Sequence, residues 1–366
     1  MTLSSNSASA EINGVLLQAF HWYTPADGGH WRRLQQQASD LAQAGITALW
    51  LPPAGKGLAG AYDVGYGIYD PYDLGEFDQQ GSIATKYGTR AEYLAAVAAC
   101  HSAGMQVYAD AVFNHLMGAD EEEDFNATPY DPYNRFQPLG DQRLIRGWTR
   151  YSYPGRGGAH STMQWHWWHF DAVDYNSFDP GFQAVWRIEG KAFDVDVDLE
   201  RGNFDYLMGC DLDIDHPEVR AALKHWGSWM VDTAGVDGFR LDAIKHISGG
   251  FFPDWLSHVE APCRPRPVCG GRILDEEPGH PQLVCRSHPR SHSSVRCAAA
   301  PQFPSGQPGR LGLRPAPSAG RHPDAPPAPA GRDPGGEPRH PAPAGPGIGG
   351  GTLVQAPGLC LHSAAA

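Results

Sequence analysis

Cysteine is scarce in the first 260 residues, where only Cys100 and Cys210 occur. Two thiols in apolar or mixed surroundings do not indicate a disulfide framework and favour a reducing compartment. The N-terminus also lacks a basic segment followed by a long apolar stretch, so neither a secretory signal nor a membrane span is predicted. We therefore expect a cytoplasmic protein without a membrane partner.

Positive charge is in deficit, because 28 lysine and arginine residues face 41 aspartate and glutamate residues. Nucleic acids and anionic membranes bind to clustered positive charge, so neither is expected as a partner. A neutral polyol or a cation suits an acidic chain better, and we expect a monomer. The excess of acid lies before residue 261, whereas residues 261–366 lack Lys, Trp and Tyr and are rich in Pro, Arg, Gly and Ala. The composition therefore breaks near Glu260.

Short apolar segments alternate with longer amphipathic ones before that break. Predicted strands lie within 14–23, 46–53, 105–115 and 236–247, and predicted helices lie within 31–45, 90–104, 215–235 and 251–259. In the third of these helices Pro217 occupies the first turn and Gly235 the end, as is typical of helix termini. The alternation predicts parallel pairing with right-handed crossovers, and hence an α/β fold with four strands of a (β/α)₈ barrel.

The alternation stops after His115 in a stretch rich in Trp, Tyr, Asp and Gly, which includes QWHWWHF (164–170). We interpret this stretch as a β-rich domain inserted after the third strand. The predicted organisation is the first part of the barrel in 1–115, the inserted domain in 116–205, the region of the fourth strand in 206–260 and an aberrant tail in 261–366.

Polar side chains cluster at the ends of the third and fourth predicted strands, where such barrels carry their chemistry. They are Asp110, Asn114 and His115 on the third strand and Arg240, Asp242, Lys245 and His246 on the fourth. Each residue alone has an ordinary structural explanation, such as a helix cap. Four charged or titratable residues within seven consecutive positions are harder to explain by structural roles alone, so they predict a functional site.

Several long motifs occur in a fixed order: DVGYGIYDPYDLGEF (63–77), KYGTRAEY (86–93), DAVFNH (110–115), GKAFDVDVD (190–198), FDYLMGCDLDIDHPEV (204–219) and GFRLDAIKH (238–246). With these motifs, residues 12–260 closely resemble the α-amylase family of retaining glycoside hydrolases, and within it the bacterial liquefying type. The resemblance implies a (β/α)₈ barrel with a domain inserted after strand three. It also implies endo-hydrolysis of α-1,4-glucosidic bonds in starch or glycogen, with retention.

The resemblance implies that Asp242 is the nucleophile and that Arg240 holds it ionised. A cation beside a carboxylate lowers the pKa of that carboxylate, which favours this role. The resemblance further implies sugar contacts for Tyr66, His115, Lys245 and His246. For Tyr66, a packed aromatic ring in a glycine-rich turn is the structural alternative.

Calcium is the cofactor that the resemblance implies, and its matching ligands are Asn114, Asp205, Asp211 and the backbone carbonyl of His246. Hard oxygen ligands from three segments suit calcium. A second metal cluster in the liquefying enzymes matches Asp171, Asp194 and Asp213, although such acids can also be solvated loop residues.

A retaining glycosidase needs a second carboxyl as general acid. The family supplies a Glu after strand five, in a stretch like AVGEYW, and a third acid in an NHD motif, and neither motif is present. Glu276, Glu277 and Glu337 have no strand-like context. However, codons for VCGGRILD (268–275) read one base later can give CAVGEYW, and codons for residues 337–340 can give NHDT. A third segment, 344–365, accommodates family-like sequence in the same frame.

The tail is therefore interpreted as the product of a base insertion or deletion near codons 260 to 267, and it is expected to be disordered. A genuine Pro-rich linker is the alternative. Three functional interpretations stay open: an α-amylase, a non-catalytic glucan-binding remnant that uses Tyr66 with Trp165, Trp167 and Trp168, and a product that does not fold. As written, the chain is expected neither to fold cooperatively nor to hydrolyse starch.

Overall fold

The computed structural model describes residues 14–260. Its strands are β1 (Leu16–Gln18), β2 (Ala48–Trp50), β3 (Lys56–Gly57), β4 (Ile68–Asp70), β5 (Gln106–Ala111), β6 (His115–Leu116), β7 (Glu121–Asp131), β8 (Asn134–Pro138), β9 (Arg143–Arg150), β10 (Phe170–Val173), β11 (Val185–Ile188), β12 (Cys210–Leu212) and β13 (Gly238–Leu241). Its helices are α1 (His30–Gln43), α2 (Arg90–Ser102), α3 (Pro217–Ala234) and α4 (Phe251–Glu260).

Four strands form a parallel sheet in the order β1, β2, β5, β13. A helix follows each of these strands along the chain, so the predicted alternation of strand and helix is confirmed over the described residues. The predicted ends of α3 are confirmed too, because Pro217 is its first residue and Gly235 adopts a left-handed φ of 69° directly after it. Glycine is favoured at such a position because it has no Cβ.

A second sheet is antiparallel and contains seven strands, in the order β6, β12, β10, β11, β7, β8, with β9 paired to β7. All seven strands lie in the chain between β5 and α3. Strand β12 comes after residue 205 and pairs with both β6 and β10. The antiparallel sheet therefore extends past the predicted end of the inserted segment.

Helices α3 and α4 pack on the end of β5 through Phe113. Its ring meets the rings of Trp226 and Trp255 edge to face, with centroids 5.4 and 5.0 Å away, and that of Phe251 at 6.0 Å. The polar edges of the two indoles are satisfied, because Trp226 donates to the carbonyl of Pro71 and Trp255 to that of Leu223. Phe113 thus fixes the backbone that continues into the predicted site.

Between residues 14 and 260, none of the helices is long and apolar enough to cross a bilayer. The predicted aberrant tail, 261–366, lies outside the described residues.

Candidate active site

The parallel register of β5 and β13 brings two predicted site segments together. Arg240 is the Cα partner of Asp110, and the amide of Asp242 donates to the carbonyl of Ala111 at 3.0 Å. Because parallel strands end at the same edge of a sheet, the polar side chains that follow both strands meet there.

Asp110 is the centre of a buried hydrogen-bond network. One carboxylate oxygen accepts from the indole of Trp50 at 2.9 Å and from the hydroxyl of Tyr66 at 2.8 Å, and the other accepts from Arg240 at 3.1 Å. Burial raises the pKa of Asp110 to about 7, an effect that Arg240 opposes. The sequence placed Asp110 at a strand end but gave it no role, because Trp50 and Tyr66 come from other segments.

Arg240 links Asp110 to Asp242. Its guanidinium donates to the Asp242 carboxylate at 2.5 Å and lies over the ring of Trp50, 4.7 Å from the centroid. Burial lowers the pKa of Arg240, but the two carboxylates outweigh it and raise that pKa above its usual value. A permanent cation therefore forms an ion pair with the Asp242 carboxylate.

Tyr66 and His115 form one wall beside Asp242. The ring of Tyr66 stacks parallel to the half-exposed Trp22, with centroids 6.3 Å apart. Nε2 of the buried His115 donates to the carbonyl of Tyr66 at 2.8 Å, and its Nδ1 has no hydrogen-bond partner within residues 14–260. Burial lowers the pKa of His115, so its ring is neutral and Nδ1 is a free acceptor. Such an acceptor suits a hydroxyl group.

Lys245 and His246 contact the segment that precedes β12. The Lys245 ammonium pairs with Glu200 at 3.5 Å and lies 5.2 Å from the ring centre of Phe204. The imidazole of His246 is buried, donates to the carbonyl of Phe204 and packs edge to face on its ring at 4.3 Å. Burial lowers the pKa of His246 to about 4. The His246 side chain is thus held by Phe204, and Lys245 is the more exposed of the two.

Carboxylates crowd together behind this wall, where Asn114 donates to Asp211 at 2.7 Å. The amide oxygen of Asn114 and the second carboxylate oxygen of Asp211 are buried without a hydrogen-bond partner in the described part of the chain. Asp205 is buried beside them and accepts the amide of Asp194 at 2.9 Å. Burial, and then neighbouring acids, raise the pKa values of Asp205 and Asp211 well above the usual range. Buried, unpartnered oxygens among crowded carboxylates are the donor set that calcium prefers.

The acids of the predicted second metal cluster lie nearby but differ in their partners. Burial, followed by the charge of Asp213, raises the pKa of Asp171 to about 9. Asp194 accepts the amide of Ser248 at 3.0 Å, which brings the turn after His246 against the cluster. Asp213 pairs with Lys191 and accepts two amides at the start of α3, both at 3.0 Å. The ion pair with Lys191 was not predicted, because 22 residues separate the partners.

The sequence matches the family described as alpha amylase, catalytic domain, over residues 6–262. The chain belongs to the α-amylase family. By this membership it is classed with the glycoside hydrolases.

Three bacterial relatives illustrate how similar the chain is. It is 52% identical to an alpha-amylase of Geobacillus stearothermophilus over 69% of this chain and 46% of the relative. It is 48% identical to an alpha-amylase of Bacillus licheniformis over 70% of this chain and 49% of the relative. It is 43% identical to a cytoplasmic alpha-amylase of Escherichia coli over 70% of this chain and 52% of the relative. The chain therefore spans about half the length of the curated relatives it matches.

The general acid of this α-amylase family member is not supplied by Asp110, which shares Arg240 with Asp242. The Asp110 side chain is completely buried, and both of its oxygens accept hydrogen bonds. It cannot reach a glycosidic oxygen. The acids Glu276, Glu277 and Glu337 and the out-of-frame motifs lie outside the described residues.

The tryptophans of the predicted sugar platform are unequally accessible. Trp165 is buried, and Trp167 stacks on Phe125 with centroids 5.8 Å apart. Trp168 is 39% exposed, and one face of it is covered by His166 at 4.2 Å. Of the three, Trp168 is the most exposed.

Proposed function

We propose that this chain carries the nucleophile half of an endo-acting α-amylase site, which cleaves α-1,4-glucosidic bonds of starch-type or glycogen-type glucans with retention. The observation that carries the proposal is the contact of Arg240 with Asp242 at the end of β13, beside the wall formed by Tyr66 and His115. The relatives named alpha-amylase, at 48 to 52% identity, support it.

In the proposed reaction, Asp242 attacks the anomeric carbon and forms a covalent glycosyl ester while the bond to the leaving oxygen breaks. Arg240 forms an ion pair with Asp242, and the buried Asp110 orients Arg240. Tyr66 supports the sugar ring, and His115 accepts a hydrogen bond from a sugar hydroxyl group. Lys245 and His246 border the side of the site that holds the leaving sugar. The leaving oxygen needs a proton from a carboxyl that residues 14–260 do not supply, so we expect the chain as written to be inactive.

Calcium is proposed as the cofactor. Asn114, Asp205, Asp211 and the backbone carbonyl of His246 would hold it, and a second ion would use Asp171, Asp194 and Asp213. The unpartnered oxygens of Asn114 and Asp211 support this assignment. Bound calcium would neutralise the crowded carboxylates, and these residues would hold it between the end of β5 and the strands of the antiparallel sheet.

The architecture is proposed to be the first half of a (β/α)₈ barrel, with four of its strands, and a domain inserted after the third strand. We propose barrel segments in 1–115 and 206–260 and an inserted domain in 116–205. The four-stranded parallel sheet and the antiparallel strands between β5 and α3 support this division.

We propose that the partner is an α-glucan and that neither a nucleic acid nor a membrane is bound. The chain is proposed to be a monomer in the cytoplasm. A relative named glucan 1,4-alpha-maltohexaosidase, at 50% identity, supports the substrate class, and the Escherichia coli relative supports the compartment.

A non-catalytic glucan-binding remnant is the second candidate, and the complete burial of Asp110 favours it for the chain as written. Titration with maltoheptaose and an assay on soluble starch, each run on the chain as given and on the frame-restored chain, separate the two. Binding without hydrolysis in both chains supports the remnant, whereas hydrolysis by the frame-restored chain that its Asp242→Asn variant loses supports the nucleophile half of an α-amylase site. If neither occurs, both are contradicted and the non-folding interpretation is favoured.

A further inference from the structure

The hairpin between β7 and β8 carries two large aromatic side chains on its outer surface. Tyr133 is 77% exposed and Phe136 is 74% exposed. The turn itself is well defined, because Asp131 accepts the amides of Tyr133 and Asn134 at 2.7 and 3.1 Å. Large aromatic rings that an ordered turn keeps exposed to solvent indicate a contact surface.

Both rings are fixed from below by the segment that precedes β12. The guanidinium of Arg201 lies 5.5 Å from the ring centre of Tyr133. Phe136 rests on Gly202, where an added Cβ would lie 2.6 Å from the Phe136 ring. The amide of Arg135 donates to the carbonyl of Arg201 at 2.8 Å, which ties the hairpin to this segment. The outer faces of both rings are left to solvent.

A continuous path of contacts joins this aromatic tip, defined as Tyr133 and Phe136, to the leaving side of the candidate active site. Arg201 also lies over Phe204, 4.6 Å from its ring centre. Phe204 in turn contacts Lys245 and His246. The tip is therefore an outward extension of the wall that borders the leaving sugar.

We propose that the aromatic tip binds the leaving-side end of a long α-1,4-glucan, beyond the sugars that contact Lys245. Aromatic faces suit the C–H face of a pyranose, and the adjacent Arg201 and Glu200 suit its hydroxyl groups. An anionic membrane does not fit, because the turn carries the acid Asp131 as well as the neighbouring Arg201, and so it presents no cluster of positive charge. This inference rests on the proposed function and adds a binding region for long substrates.

The test is calorimetric titration of the full chain with maltoheptaose and maltotriose. The variant Tyr133→Ala with Phe136→Ala should weaken maltoheptaose binding roughly tenfold, the size typical of truncating an aromatic anchor. Maltotriose binding should stay unchanged, because it is too short to occupy both regions. The variant Tyr133→Trp should retain the affinity for maltoheptaose.

The matched control is Phe178→Ala. Phe178 is 53% exposed and, like Tyr133, lies under an arginine, with Arg146 at 5.0 Å, but it is not part of the hairpin between β7 and β8. Equal maltoheptaose affinity in the tip variant and in this control would overturn the inference. A dimer in sedimentation that the tip variant loses, without any change in sugar affinity, would also overturn it in favour of self-association.

A third variant, Tyr66→Ala, separates this inference from the proposed function. If Tyr66→Ala abolishes binding and the tip variant does not weaken it, the proposed function stands and the aromatic tip does not. If the tip variant weakens binding and Tyr66→Ala has no effect, the proposed site is contradicted while the tip is retained. If the unmodified chain binds neither sugar, both proposals are overturned.

Discussion

Phe113→Ala should cost about 4 kcal/mol of unfolding free energy. Phe113 is 2% exposed and contacts three other aromatic rings, so truncation removes a buried ring and leaves a cavity where α3 and α4 meet β5. Phenylalanine-to-alanine changes in cores cost roughly 3 to 5 kcal/mol in total, a range that already includes the loss of aromatic pairs worth about 0.5 to 1.5 kcal/mol each. Because large rings such as Trp226 and Trp255 cannot close the gap without leaving their own hydrogen bonds, we expect little relaxation.

The assay is guanidinium unfolding followed by tryptophan fluorescence, in the chain with its reading frame restored after codon 260. Phe178→Ala is the control, since a half-exposed ring should cost below about 1 kcal/mol. A loss for Phe113→Ala no greater than that of the control would refute the packing argument. The same titration on the chain as given tests the non-folding interpretation, which predicts no cooperative transition.

Three further predictions concern the site. In the frame-restored chain, Asp242→Asn should remove nearly all starch hydrolysis, because no other accessible carboxylate contacts Arg240 in the described residues. The control Asp254→Asn on α4 should leave hydrolysis unchanged. Wild-type turnover in Asp242→Asn would contradict the nucleophile assignment. Excess chelator should lower the melting temperature of that chain, and Asp205→Ala should reduce the response; an unchanged melting temperature argues against a structural calcium ion. The chain as given should hydrolyse soluble starch at least about 10² to 10⁴-fold more slowly than the frame-restored chain, because a positioned acid contributes a factor of that size. Comparable rates would show that another residue supplies the acid.

Periodic and local features were predictable from the sequence. The four helices follow from their amphipathic spacing, and the start of α3 follows from Pro217. Arg240 and Asp242 lie two positions apart at the end of a strand, and this spacing is compatible with their contact. These features depend on residues that are close in the chain.

Features that depend on distant segments were not predictable. The partners of Asp110 come from β2 and from the loop around Tyr66, and only the assembled sheet brings them together. Strand β12 was not predicted because it lies in the acid-rich stretch GCDLDID (209–215), whereas the equally short β1 and β2 lie in apolar runs. The burial of the His246 side chain depends on Phe204, which the inserted segment delivers.

The position of Asp213 has a consequence for how this protein can change over time. One short carboxylate accepts the amides of Asp215 and His216 in the turn before α3, pairs with Lys191 and lies near the acids around Asp171. Asn would keep the amide contacts of this turn but lose the charge, and Glu would keep the charge but reach one methylene too far for both amides. A residue that replaces Asp213 has to meet the requirements of the turn, of the ion pair and of the acid cluster at once, so we expect this position to tolerate few substitutions.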